Sequence, residues 1–195
     1  LNSWILLEDD TDKNNLKCIV KRMTFISIIK NEHSENSFLK GLFSDLLYAM
    51  YCIKENQERY FYFNLRSSIE NFLRFALNKK NEDSTGVRNL FTEFEQINKE
   101  AKNKLNSEYA YCCNYVHNNH IANIEHTSFF IQCKTQSFCS LKMAISHFLN
   151  IINEIIKYLI IHLNMLVDGA FHRAKSQLKF LLGDKLHQKF TLHKS

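Results

Sequence analysis

Two short segments of the chain carry side chains whose types and spacing allow chemistry. In the first, residues 65–74, the charged residues Arg66, Glu70 and Arg74 recur every four positions. On a helix this spacing places all three on one side. They would form either a surface ladder of ion pairs worth about 0.2–0.5 kcal/mol each, or a partly enclosed polar row that holds an anion or a neighbouring helix. Arginine suits the second role because its planar fork binds phosphate or carboxylate at two points, but the spacing alone favours the surface ladder.

The second segment, residues 109–120, collects groups that titrate or form hydrogen bonds near a predicted helix end. Asn114 and His117 are three residues apart and therefore face the same way on a helix. Histidine moves protons near neutral pH, which makes His117 a candidate acid or base. The alternative is a capping histidine at a helix C-terminus, where positive charge is favourable. For a lone histidine the capping role is favoured.

Metal and cofactor chemistry has little support in the sequence. His117 and His120 could share a metal ion with Glu125 or His126, but no His-Glu-x-x-His pattern or paired-cysteine motif accompanies them. The sequence also contains no glycine-rich phosphate loop and no Gly-x-Ser-x-Gly elbow. We therefore predict neither a metal site nor a cofactor.

The composition predicts that helices position these residues. The 195 residues include no proline and only four glycines, whereas sheet-rich folds use both residues in many tight turns. A chain of this length forms one domain, or one domain with a small appendage. The 16 phenylalanines and 8 tyrosines indicate a core filled largely by aromatic rings.

Apolar residues recur at helical spacing along most of the chain. The first predicted helix begins after a cap at Ser34 or Asn36, and the second covers about 57–77. A third begins at Ser84 or Thr85, and two more cover about 102–117 and 137–166, of which the last is the longest. A basic amphipathic helix follows Gly169. Residues 16–29 mix β-branched and basic residues and fit either a helix or a hairpin. We predict an all-α fold: an up-and-down four-helix bundle over 34–166, an N-terminal extension of uncertain structure over 1–33, and a basic amphipathic helix over 167–195 packed on the bundle.

The net charge, the cysteines and the hydropathy indicate the possible partners and the cellular location of the protein. A net charge of +5 permits contact with RNA or DNA, although the charge alone favours a solvated surface with a slight lysine excess. The six cysteines include no Cys-x-x-Cys pair, which is typical of reduced thiols in the cytoplasm. The apolar helix over 137–166 contains Glu154 and Lys157, and a charge at the centre of a membrane costs about 2.5–3.5 kcal/mol. We therefore predict a cytoplasmic protein without a membrane span.

Taken together, the two segments resemble the HEPN superfamily, especially the divergent HEPN-like domains of bacterial and phage defence or toxin systems. The resemblance rests on Leu-Arg-Ser-Ser-Ile-Glu-Asn-Phe-Leu-Arg at 65–74, followed by Tyr-Val-His at 115–117. It covers residues 37–166 and implies a four-helix up-and-down bundle.

Many HEPN domains are metal-independent endoribonucleases that act as dimers, and their signature is an arginine, four to six residues, then a histidine. The resemblance implies that His117 lies near the scissile phosphate and that the RNA 2′-hydroxyl attacks the adjacent phosphorus. In this chain no arginine lies at that distance before a histidine. The resemblance therefore implies that Arg66 or Arg74 supplies the charge from the neighbouring helix.

The resulting prediction is a HEPN-like endoribonuclease or toxin domain that acts on RNA, alone as a homodimer or with a partner protein of a defence or toxin–antitoxin system. Its predicted catalytic residues are His117, Arg66, Glu70 and Asn114, and its predicted RNA-binding residues are Arg74, Asn118, His120 and Tyr115. The alternative is a catalytically inactive HEPN-like module for dimerisation or docking, which exposed aromatic surface would favour. A third interpretation, a DNA- or RNA-binding regulator that uses the basic last helix, lacks a helix-turn-helix pattern.

Overall fold

The computed structural model describes residues 9–117, 138 and 140–193. Every regular element within these residues is a helix, which confirms the predicted all-α fold. The helices are α1 (Asp10–Glu32), α2 (Ser37–Lys54), α3 (Glu58–Ala76), α4 (Val87–Ile97), α5 (Lys99–Val116), α6 (Leu141–His162), α7 (Asn164–Ala170), α8 (Lys175–Leu182) and α9 (Asp184–Leu192).

Polar side chains fix where four of these helices begin, and Asp9 caps the first, α1. Asn36, one of the two predicted caps, accepts a hydrogen bond from the backbone N–H of Leu39 at 2.9 Å and starts α2. Asn98 accepts from the backbone N–H of Ala101 at 2.9 Å, so α5 begins at Lys99, three residues before the predicted start. Ser140 caps α6 in the same way. Each of these caps satisfies a backbone N–H that has no partner within the helix, and such a cap contributes about 1 kcal/mol.

Helix α6 lies in the hydrophobic core. Its fully buried positions recur every three or four residues: Ile145, Phe148, Ile152, Ile155 and Leu159. Its Tyr158 ring packs edge-on against Phe72 of α3, with ring centroids 5.4 Å apart, and lies 5.1 Å from Phe94 of α4. Aromatic rings thus join three helices, as the phenylalanine and tyrosine content predicts.

Helices α2 and α3 pack against each other as antiparallel neighbours. Asn64 Nδ2 lies 3.8 Å from Cys52 Sγ, and Asn71 Nδ2 donates to Asp45 Oδ2 at 2.8 Å. Gly41 permits the close approach at the second pair, since a Cβ at Gly41 would lie 2.8 Å from Asn71 Nδ2. Burial raises the pKa of the Asp45 carboxyl above its ordinary value, against the effect of the hydrogen bond from Asn71.

Residues 16–29, which the sequence left open between a helix and a hairpin, belong to helix α1. Its Ile19 and Ile26 are fully buried in the same hydrophobic core as α6. Its Phe25 stacks on Phe171, beyond the end of α7, with ring centroids 5.3 Å apart. Residues on both sides of the predicted boundaries at 33/34 and 166/167 therefore belong to one hydrophobic core.

The chain after Gly169 forms two short helices, where the sequence predicted one basic amphipathic helix. Gly183 separates them, with a φ of +73° that ends α8 and starts α9. The predicted amphipathic pattern holds within α8, because Leu178 and Leu181 are buried and Lys179 is exposed.

Helix α6 is the helix that the sequence placed at 137–166. It has 22 residues, one fewer than α1, so the prediction that it is the longest helix was wrong for the described part of the chain. Among the described residues it is the one helix long and apolar enough to cross a membrane, and 56% of its most apolar stretch is buried inside the protein. Burial on this scale is what a helix of a protein core shows.

Replacement of Gly183 by alanine tests the break between α8 and α9. Gly183→Ala is expected to lower the free energy of unfolding by roughly 1–3 kcal/mol, because a φ of +73° with a ψ of 166° strains any residue with a side chain. The matched control is Gly169→Ala in α7, where an added Cβ meets no atom within 4 Å. This control is expected to raise the free energy of unfolding by up to about 1 kcal/mol through helix propensity. Urea denaturation measures both, and equal stability of the two variants would contradict the assigned backbone conformation.

Candidate functional site

A tyrosine hydroxyl joins the polar row of α3 to α5. Tyr109 Oη donates to Glu70 Oε1 at 2.9 Å and accepts from Arg66 Nε at 2.9 Å. Arg66 Nε also lies 3.3 Å from Glu70 Oε1, which closes a triangle of three side chains from two helices. The row is therefore more than a surface ladder of ion pairs.

Partial burial strengthens this triangle. The side chains of Arg66 and Glu70 are 25% and 23% exposed, so solvent screens their attraction only in part. Burial opposes the charged form of Arg66, but the hydrogen bond to Tyr109 and the attraction of Glu70 outweigh it and raise the pKa of this guanidinium. Burial also raises the pKa of Tyr109, and Glu70 adds to that effect. Tyr109 therefore stays a neutral phenol that can donate to Glu70.

The triangle places Arg66 beside the histidine at the end of α5. Arg66 Nη1 lies 3.5 Å from His117 Nε2, at the outer limit of a hydrogen bond. Because a guanidinium only donates, a hydrogen bond here requires the lone pair on Nε2 and the ring proton on Nδ1. His117 is the exposed C-terminal cap of α5, and Arg59 Nη2 donates to the backbone carbonyl of Val116 at 3.0 Å. Two arginines of α3 thus contact the end of α5.

Arg74 pairs with two carboxylates and with the loop before α4. Its guanidinium contacts Glu70 Oε2 at 3.8 Å, Asp83 Oδ2 at 3.6 Å and the backbone carbonyl of Thr85 at 3.1 Å. Its side chain is only 15% exposed. Thr85 itself donates to Asp83, so it belongs to the loop, and α4 begins at Val87 rather than at Ser84 or Thr85. Arg74 pins this loop to α3, and the geometry does not support the prediction that it contacts RNA.

Tyr115 also faces inward. Its ring stacks on the fully buried Tyr62 with centroids 4.0 Å apart, and its hydroxyl lies 3.3 Å from that of Tyr111. A half-buried ring in such a stack does not support the predicted contact with RNA. Asn114 is half-buried one helical turn before His117. Asn118 and His120 lie outside the described residues.

A second polar cluster, which sequence reasoning missed, lies between α5 and α6. His147 Nδ1 lies 2.6 Å from Glu108 Oε2, and Asn150 Nδ2 donates to Glu108 Oε1 at 2.9 Å. The imidazole stacks on Tyr111 with centroids 3.8 Å apart. An adjoining cleft of about 360 Å³ is lined by Lys104, Ser107, Glu108, Asn150, Asn153, Glu154 and Lys157.

A sequence signal for this second cluster exists. Polar residues interrupt the apolar helix α6 at positions 147, 150, 154 and 157, which share one side of a helix. The carboxylate orients the imidazole, as in many acid–base sites. The two lysines of the cleft contact Glu154, at 3.5 Å from Lys104 and 2.5 Å from Lys157, so charge within the cleft is largely balanced.

No group of three or more histidine, cysteine or acidic side chains within the described ranges is placed to hold a metal ion. Comparison with known proteins gives no relative: no protein-family model, no curated protein and no solved structure matches the chain. The candidate site therefore rests on its own geometry.

Removal of the Tyr109 hydroxyl tests the triangle. Tyr109→Phe is expected to lower the free energy of unfolding by roughly 1–3 kcal/mol, because two partly buried charged groups each lose a hydrogen-bond partner. Tyr48→Phe, at a ring that is 60% exposed on α2, is the matched control and is expected to change stability by less than about 0.5 kcal/mol. Chemical denaturation of the two variants measures the difference, and an equal effect would show that the Tyr109 hydroxyl is not the link between α3 and α5.

Proposed function

We propose that this chain is a HEPN-like, metal-independent endoribonuclease or toxin domain of a defence or toxin–antitoxin system. The observation that carries the proposal is the 3.5 Å contact between Arg66 Nη1 and His117 Nε2. It brings an arginine to the histidine from a neighbouring helix, where the HEPN signature would supply one from the same segment.

The proposed bundle consists of α2, α3, α5 and α6, with α4 as an insertion between the second and third of these helices. Packing of α2 on α3, α3 on α5 and α5 on α6 supports this assignment. Helix α1 packs on both α2 and α6 and so forms part of the same helical core, and α7 to α9 are then the accessory helices after α6.

The chemistry follows from what Arg66 and His117 can each do. The RNA 2′-hydroxyl gives its proton to His117 Nε2 and attacks the adjacent phosphorus, and the bond from phosphorus to the 5′ oxygen breaks. The leaving oxygen takes a proton from water, and the hydroxide that results takes the proton from His117 and restores the base. The products carry a 2′,3′-cyclic phosphate and a 5′-hydroxyl. A histidine base contributes about 10²–10⁴-fold to such a step.

Arg66 has two roles in this scheme. Its guanidinium has five N–H donors, and a phosphate that binds it neutralises part of the charge that develops at the phosphorus. The phosphate also competes with His117 for these donors. Because the contact to Nε2 is long, binding of the phosphate would release the lone pair that accepts the proton. Glu70 and Tyr109 position Arg66 and do not touch the substrate.

The protein is further proposed to act in the cytoplasm, either as a homodimer or with a partner protein from the same system. Reduced thiols support the cytoplasmic setting, since Cys18, Cys52, Cys112 and Cys113 are all free.

A catalytically inactive docking module is the second candidate function. It is favoured by one observation, the exposure of Tyr48, Tyr51, Tyr60 and Phe63 on α2 and α3. Exposed aromatic residues are enriched at protein interfaces.

Incubation of the purified protein with total RNA and with tRNA in EDTA tests the nuclease. Wild type is expected to cleave and to leave 2′,3′-cyclic phosphate ends. His117→Ala and Arg66→Ala are each expected to lower the rate by about 10²-fold or more. The matched controls are His172→Ala and Arg173→Ala, at exposed residues between α7 and α8.

Cleavage that the His117 and Arg66 variants retain would assign the activity to another site or to a contaminant. Absence of cleavage by wild type would leave the docking module as the better account. Circular dichroism of each variant separates a loss of activity from a loss of fold.

A further inference from the structure

Four aromatic side chains stand out from one side of the α2–α3 pair. Tyr48 and Tyr51 on α2 are 60% and 48% exposed, and Tyr60 and Phe63 on α3 are 63% and 51% exposed. Large rings at this exposure gain little from the protein core. We refer to these four residues as the aromatic face.

The four rings lie on the exposed surface of the α2–α3 pair. Cys52 lies level with Asn64 in this antiparallel pair, so Tyr51 is level with Leu65, and Phe63 lies within one helical turn of that level on α3. Within each helix the two rings are three residues apart and therefore share a side. Leu47, also on α2, lies on the other flank of that helix, where it lines a groove against α1.

Cationic groups are interleaved with these rings. Arg59 and Arg66 lie four residues before and three residues after Phe63 on α3, so all three share one side of the helix. Lys54 Nζ lies 5.9 Å from the centre of the Tyr51 ring and 3.3 Å from Glu55 Oε1, which offsets part of its charge. The axial distance from Phe63 to Arg66 is about 4.5 Å at the rise of an α-helix, which is within the span of one nucleotide.

We propose that the aromatic face binds the unpaired bases of an RNA strand whose phosphate lies at Arg66 and His117, with bases stacked on Phe63 and Tyr60. This inference rests on the proposed function, because that function supplies RNA as the ligand of the neighbouring pair. Aromatic rings beside cations form the usual platform for single-stranded nucleic acid, since every base has a face that stacks. Bases within a duplex are already stacked on each other and cannot use such a platform.

The neighbours of the rings favour RNA over a protein partner. The residues between and beside the rings are polar or carry charges of both signs: Ser44, Lys54, Glu55, Glu58, Asn64 and Ser67. The centre of a protein interface is depleted of charged residues, because its groups lose contact with water. Single rings separated by polar groups instead suit the stacking of separate bases between solvated phosphates.

The test measures binding separately from cleavage. The probe is a fluorescent 2′-O-methyl RNA 12-mer without self-complementarity, which lacks the attacking hydroxyl, and the comparison is the same strand in a duplex with its complement. Fluorescence anisotropy is expected to show tighter binding of the single strand by wild type. Phe63→Leu keeps an apolar side chain but removes the ring, and is expected to weaken single-strand binding by roughly 5- to 150-fold.

Three further variants test whether binding depends on aromatic rings within the aromatic face. Phe63→Trp keeps a stacking ring and is expected to bind as wild type does. Tyr60→Leu is expected to weaken binding in the same direction as Phe63→Leu. Phe180→Leu is the matched control, because Phe180 is 62% exposed on α8, away from the aromatic face, and its loss is expected to leave binding unchanged.

Equal binding by Phe63→Leu and wild type would overturn the inference, as would failure of wild type to bind the single strand. Sedimentation velocity tests the alternative that a second copy of the chain binds at the aromatic face. If wild type is a dimer and Phe63→Leu is a monomer, the aromatic face is an interface between copies. If Phe63→Leu loses binding while wild type cleaves no RNA, the proposed nuclease fails and the binding face stands. If wild type cleaves and Phe63→Leu binds and cleaves equally well, only the binding face fails.

Discussion

The hydroxyl of Tyr109 is the link on which the geometry of the site depends. It accepts from Arg66 and donates to Glu70, so one atom of α5 fixes two opposite charges of α3. Without this link, the long arginine side chain would sample several rotamers. Because the link is partly buried, the charges cannot separate into water at low cost. The position of the guanidinium beside His117 follows from this constraint.

Glu70 also separates the two arginines of the polar row. Its carboxylate lies 3.3 Å from Arg66 Nε and 3.8 Å from Arg74 Nη1, and Asp83 also pairs with the Arg74 guanidinium. Arg74 is therefore committed to the loop before α4, whereas Arg66 points to the end of α5. The same sequence spacing thus produces one structural arginine and one that faces the candidate site.

The predictable part of this fold is the part that depends on periodic apolar residues and local caps. Helices α2 and α3 and the Asn36 cap are local features, and the sequence predicts them closely. The break at Gly183 is harder to predict, because apolar residues keep helical spacing on both sides of it. Residues 16–29 were ambiguous because β-branched residues suit both helices and strands, and only burial against α6 decides between them.

The site is less predictable than the helices because its contacts cross between helices. The sequence places Arg66 and His117 as candidates, but their 3.5 Å contact depends on how α3 packs on α5. The predicted roles of Arg74 and Tyr115 are not supported by the structure for the same reason, since the loop at Asp83 and the buried ring of Tyr62 are distant in sequence. Glu108 and His147 were missed because they are 39 residues apart.

The tautomer of His117 tests the central claim most directly, because a donor at Nε2 favours the ring proton on Nδ1. Nitrogen-15 NMR of the imidazole distinguishes the two neutral tautomers from the charged ring and reports which nitrogen carries the proton. The account predicts the Nδ1–H tautomer in wild type, with its population reduced in Arg66→Ala and in Tyr109→Phe. An Nε2–H tautomer in wild type, or identical spectra in all three proteins, would contradict it.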